Sequence, residues 1–144
     1  MNTDLQKARE LLQSGDYTCV VCCNDTAYTA TDRGVAPLLN WLDSGTDLHG
    51  FSAADRVVGR ATAFLYVLLG VRAVHARVMS HPAADVLSAH GIFSQADTVV
   101  DGIINRRGDG PCPFEAAVLD LTDAQQALHA IRQKRYQMRL GDNK

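Results

Sequence analysis

The sequence predicts an α/β fold, a three-layer α/β/α sandwich on a mixed sheet, and three observations point to it. Two strand-like runs, Tyr17–Cys23 and Thr26–Thr31, flank Asn24-Asp25, a dipeptide suited to a tight hairpin turn. After that hairpin, helix-like and strand-like segments alternate, as in parallel strands joined by helical crossovers. Amphipathic helical stretches open and close the chain, so helices are available to cover both faces of the sheet.

Each element has its own signal. The first helix begins at Thr3, where Gln6 completes a capping-box pattern, and Gly15 stops it. Leu5, Ala8, Leu11 and Leu12 form its apolar stripe. Beyond the hairpin, Gly34 to Leu42 reads as a short helix with Leu38, Leu39 and Leu42 inward, and Ser44 to Gly50 as a loop. The longest helix is expected from Ala53 to Leu69, capped by Ser52 and ended by Gly70. Arg72–Met79 is a strand with Val74, Ala76 and Val78 on one face, and Pro82 to Ala89 a helix closed by Gly91. The run VVDGII within Thr98–Asn105 predicts a strand interrupted by Gly102. A loop over Arg106–Pro111 leads to a short helix from Phe114 to Leu119. The last helix starts after Thr122, with Gln125 giving a second capping box, and reaches Arg139; Gly141 to Lys144 are expected to fray. The expected order is α-β-β-α-α-β-α-β-α-α.

Composition narrows the function classes. The 144 residues suit one domain, and 47% hydrophobic content suffices for a core without disulfide or metal staples. A net charge of −2 argues against general nucleic-acid binding, since a phosphate-gripping protein is usually basic. The N-terminal MNTDLQKARELLQ lacks the pattern of a secretory signal, and the longest apolar stretch, Ala63 to Val71, is too short for a bilayer. A cytoplasmic protein without membrane contact is therefore expected. Cys19 and Cys22 form a C-x-x-C pair, but on a strand they face opposite ways, so core filling explains them better than redox or metal chemistry.

Three stretches carry a family resemblance: Asp32-Arg33-Gly34-Val35-Ala36-Pro37-Leu38-Leu39, the segment Gly50-Phe51-Ser52-Ala53-Ala54-Asp55-Arg56-Val57-Val58-Gly59-Arg60-Ala61, and Ile103-Ile104-Asn105-Arg106 running to Pro111-Cys112-Pro113. Together they resemble the small prokaryotic family catalogued as domain of unknown function 1893. The resemblance implies a cytidine-deaminase-like fold and brings no activity with it.

The deaminase idea is tested by the residues themselves. A zinc base deaminase needs H-x-E (or C-x-E) followed by P-C-x-x-C, supplying three metal ligands and a proton-shuttling Glu. None of His49, His75, His81, His90 or His129 is followed by Glu at that spacing, and no cysteine is. Pro111-Cys112-Pro113-Phe114-Glu115 echoes P-C-x-x-C with Glu115 in the second cysteine's place, but it falls one helix and one strand too late. No metal site and no cofactor is expected.

Two candidate ligand segments remain. On the expected helix, Ser52, Asp55, Arg56 and Gly59 fall on one face, with Arg60 beside them. Free N–H groups at the helix start favour an anion or sugar hydroxyls, Arg56 or Arg60 could pair with phosphate, and Asp55 could bind ribose hydroxyls or act as base or nucleophile. Gly59 in mid-helix is unfavourable by roughly 1 kcal/mol against alanine, so it demands a close approach by some neighbour. The second segment is Asn105-Arg106-Arg107-Gly108-Asp109-Gly110-Pro111-Cys112, an anion-binding loop with Cys112 near a helix N-cap where its thiol could be activated. His75, between apolar strand residues, reads as a core histidine.

Three functions compete. The leading one is a domain that binds a nucleotide or ADP-ribose-like small molecule. The second is a zinc-independent enzyme on a nucleotide-like substrate, with Asp55 as acid/base or nucleophile and Cys112 assisting. The third is a regulatory or protein-interaction domain using the last helix, with Arg132, Lys134, Arg135 and Arg139 outward and Leu128, Ile131 and Leu140 packed; a homodimer fits this size of protein.

Overall fold

A computed structural model describes residues 2–105 and 107–142. Its elements are α1 (Thr3–Ser14), β1 (Cys19–Cys23), β2 (Thr26–Ala30), α2 (Ala36–Asp43), β3 (Ser52–Val58), α3 (Arg60–Leu69), β4 (Ala73–Ser80), α4 (His81–Ala89), β5 (Phe93–Val100), α5 (Pro113–Val118) and α6 (Ala124–Asp142). The five strands form one mixed sheet in the order β2-β1-β3-β4-β5. β1 runs antiparallel to both β2 and β3, while β3, β4 and β5 are parallel.

That order explains where the helices lie. β3, β4 and β5 are laid down in the same direction across the sheet, so right-handed crossovers put α3 and α4 on the same face. Val21, Ala53 and Val74 face that side and share a core with Leu38 and Leu39 of α2, Phe64 and Leu65 of α3, Leu87 of α4 and Ile131 of α6. The opposite face carries a smaller cluster, in which Ala8 and Leu12 of α1 pack on Val20, Cys22 and Ala54. Successive residues of β1 therefore enter different cores, and Cys19 and Cys22 point to opposite sides as strand alternation requires.

The largest departure from expectation is β3. Residues 52–58 form a strand, not the first two turns of a long helix, and the helix begins at Arg60 with Gly59 as its N-cap. Ser52 thus caps nothing; it is fully buried and its Oγ accepts a hydrogen bond from Asn2 Nδ2 at 2.9 Å. The physical reason is tertiary. These residues are filled in between β1 and β4 with both faces covered, where small Ala53 and Ala54 let the helices approach closely. β5 also lies earlier than expected, over Phe93–Val100, and Gly102 follows the strand instead of interrupting it.

Cap positions shift by one residue. Asn2, not Thr3, accepts from Leu5 N at the start of α1. Asp123, not Thr122, accepts from Gln126 N at the start of α6. α6 continues beyond Arg139 to Asp142, so Gly141 and Asp142 extend the helix; Asn143 and Lys144 lie outside the described residues. On α6, Ile131 is buried and Leu128 packs on the core, but Leu140 is exposed.

Candidate functional site

β1 pairs with β3 only as far as Cys19 opposite Asp55. Beyond that register β3 continues beside β4 alone, apart from one bond from Arg56 N to Thr18 O. The space left at this end of the sheet, where β3 hands over to α3, is a cavity of about 310 Å³. It lies beyond the carboxyl end of a parallel strand, the usual ligand position in open α/β sheets.

Asp55 forms the polar wall of this cavity and is 8% exposed. Tyr66 of α3 donates its hydroxyl hydrogen to Asp55 Oδ2 at 2.6 Å, and Cys19 Sγ lies 3.1 Å from the Tyr66 oxygen. With the single phenol hydrogen committed to Asp55, the Cys19 thiol is the donor in that contact. Burial raises the Asp55 pKa from its ordinary 3.8 to about 6, against the lowering effects of the Tyr66 hydroxyl and the backbone N–H groups of Val57 and Arg56. Burial also raises the Tyr66 hydroxyl and the Cys19 thiol, and the Asp55 charge adds to both shifts. Both groups therefore stay protonated beside a carboxylate poised near neutrality.

The second wall comes from α5. Glu115 accepts hydrogen bonds from Arg60 N at 2.6 Å and Ala61 N at 2.8 Å. The helix N-terminus that would attract a ligand anion is thus already closed by a side-chain carboxylate of the same chain. Gly59 explains itself here: its φ of −97° is open to any residue, but a Cβ would collide with the Glu115 carboxylate. The expected close approach at Gly59 is real, although it occurs at a helix cap instead of mid-helix.

The structure sorts the expected site residues into three groups. Asp55, Gly59 and Cys112 border the one cavity, so the segment after Gly50 and the loop ending at Cys112 meet in space. Arg56 borders it too, but alternation along β3 turns its side chain to the opposite face from Asp55, so the shared helical face does not exist. Ser52 is buried at the far end of β3 against Asn2. Arg60 points away from ligand chemistry: its guanidinium donates to the carbonyls of Val118 and Leu121 and covers the Phe64 ring, tying α3 to the α5–α6 connection. Asn105 is spent on its own loop, accepting from Gly108 N and donating to Asp109 Oδ1. Arg106 lies outside the described residues.

The polar cavity residues Thr18, Cys19, Arg33, Thr62 and Glu115 were not among the expected site residues. Tyr66, which holds Asp55 from behind, was not among them either. Two signals could have found the last pair, a lone hydroxyl in the apolar run of α3 and the carboxylate in the P-C-x-x-E echo. Among the described residues no three His, Cys, Asp or Glu side chains converge as a metal site would require. No helix among them is long and apolar enough to cross a membrane.

The comparisons with known proteins agree on one relationship. The family model described as Domain of unknown function (DUF1893) matches residues 7–135. Among solved structures, the crystal structure of a DUF1893 family protein from Thermotoga maritima is similar, with a TM-score of 0.85 and 22% identity over 93% of this chain and 91% of that one. At that identity the likeness concerns the fold alone. No curated protein matches. With the family model covering most of its length, this chain belongs to the DUF1893 family.

Proposed function

We propose that the Asp55 cavity binds an uncharged ligand of nucleoside size. One observation carries this reading: a carboxylate is kept buried on a cavity wall, with its pKa raised to about 6, where an amide or apolar residue would be easier to accommodate. With the Tyr66 hydroxyl and the backbone N–H groups of Val57 and Arg56 already donating to it, such a group keeps room for one further donor, a ribose hydroxyl or the N–H edge of a base. Val35, Pro37, Ile103 and Phe114 supply the apolar walls a heterocycle needs.

Size and charge refine the ligand. A volume of about 310 Å³ is at the small end for ligand cavities, which generally range from about 300 to 1,000 Å³. Glu115 occupies the helix N-terminus where a phosphate would otherwise sit, so the phosphates of a nucleotide or the second ribose of an ADP-ribose would have to stay at the mouth, toward Arg33. The strand order, with a hairpin followed by two βαβ crossovers, supports the cytidine-deaminase-like arrangement as the scaffold. A carboxylate with a pKa of about 6 also suits proton transfer near neutrality, which supports turnover as a second reading, with the half-buried Cys112 on the same wall.

Thermal denaturation with the four common ribonucleosides and their 5′-monophosphates tests the proposal. A nucleoside at about one hundred times its Kd should add about 2.7 kcal/mol of stability, its monophosphate should do no better, and Asp55→Asn should remove the effect. Flat melting curves for every nucleoside, or an unchanged response in Asp55→Asn, would overturn it.

A further inference from the structure

A larger cavity lies elsewhere. On the face covered by α1, the helix spans β1, β3 and β4 and leaves the matching side of β5 open. A groove of about 690 Å³ runs between one flank of α1 and the start of β5. Gln6, Arg9, Glu10 and Gln13 come from the helix and Asn2 from its cap, Gln95 and the Phe93 ring from the strand, with Arg72 at the end. Phe93 is 58% exposed, so an aromatic ring stands open in the same groove as two arginines.

Arg9 is the telling residue. Arg9 is half-buried, its Nε is shut off from solvent, and it has no hydrogen-bond acceptor and no carboxylate partner among the described residues. Glu10, its neighbour on α1, is exposed and accepts instead from Gln6 Nε2. Other arginines of the fold are provided for: Arg60 by two carbonyls, Arg77 by Leu12 O and Arg132 by Asp43. Arg56 also has an orphaned Nε, but it lies toward the far end of β3 and does not line this groove. Close to Arg9, His75 is 5% exposed and has Nε2 3.3 Å from Asp97 while Nδ1 is buried without a partner. Burial first, and then the Arg9 charge, lowers its pKa.

We infer that the α1–β5 groove is a second ligand site, taking an oxyanion carried on a flat ring, with Arg9 and Arg72 on the anion and Phe93 against the ring. A guanidinium matches two oxygens of a phosphate or carboxylate at once, and an exposed ring offers a stacking wall. The amides of Asn2, Gln6, Gln13 and Gln95 can meet the polar edge of the same molecule. This site does not depend on the Asp55 cavity, which lies on the other face of the sheet.

Amide-resolved NMR titration of the full chain with phenyl phosphate, inorganic phosphate and phenol tests the assignment. Phenyl phosphate should move the resonances of Gln6–Gln13, Arg72 and Phe93 and leave Thr62 unmoved, with either half-molecule binding more weakly. Arg9→Gln should weaken phenyl phosphate at least about tenfold, the scale of losing a charge-assisted hydrogen bond. Arg72→Gln, at an exposed position, gives the same test should Arg9→Gln fold poorly. Unmoved groove resonances, phenol binding as well as phenyl phosphate, or both arginine variants binding like the parent would each overturn the assignment.

Discussion

The two faces of the sheet treat their polar groups differently. Under α2, α3, α5 and α6, the buried polar groups satisfy one another: Cys19 to Tyr66 to Asp55, Glu115 to the start of α3, Arg60 to the carbonyls of Val118 and Leu121. On the opposite face, Arg9 Nε, His75 Nδ1 and, toward the end of β3, Arg56 Nε are left without partners. The first face has a cavity whose polar wall is held by packing and internal hydrogen bonds; the second has an open groove beside unpaired nitrogens. One helix cannot cover a five-stranded sheet, so the same topology that closes one face leaves the other open.

The strongest way to sharpen this contrast is to loosen the single helix. Leu12 is 2% exposed and anchors α1 on Val20, Cys22 and Ala54. Leu12→Ala should lower stability by about 2–5 kcal/mol in urea denaturation. Hydrogen exchange should quicken in α1 before α3, because α3 is held by neighbours on every side. Equal acceleration in both helices would mean the two faces are not separable.

A smaller effect is expected on the closed face. Glu115→Gln keeps the side-chain length but gives up one of the two accepted bonds and the charge at the α3 N-terminus, a loss of about 1–2 kcal/mol. Gly59→Ala should cost a similar amount, since its Cβ displaces the same carboxylate. Combined, the two should cost less than their sum, because each breaks the same contact. Additive losses in urea denaturation would break the link between Gly59 and Glu115.

Much of the fold was legible in local signals. The hairpin at Asn24-Asp25, the α3 terminator Gly70 with φ of 78°, and the opposed faces of Cys19 and Cys22 all follow from turn chemistry and period. β3 was not legible, because Ser52-Ala53-Ala54-Asp55-Arg56 has helical propensity and a capping pattern, and only burial between two strands makes it extended. The Val57-Val58 pair before Gly59 was the available hint. β5 was hidden by its polarity: an edge strand with one open face shows little of the apolar run a buried strand has. The candidate site was half legible for the same reason. Asp55, Gly59 and Cys112 are chemically conspicuous and do meet, while the helix face built on Ser52 and Arg56 dissolved with the helix.

The central claim is that Asp55 is kept ionisable in a buried cavity at the expense of stability, and the pH dependence of unfolding tests it most directly. Its carboxyl takes up a proton near pH 6 in the folded state and near 3.8 when unfolded. Between those values the folded chain holds the extra proton, so its contribution to stability falls as pH rises from about 4 to about 6 and levels off above. The full difference is on the order of 3 kcal/mol. Asp55→Asn removes that titration while leaving a side-chain oxygen for the Tyr66 hydroxyl. This variant is expected to be more stable than the parent at pH 7 and to lack the parent's decline between pH 4 and 6. A variant that is less stable at pH 7 and keeps the same decline would contradict the claim.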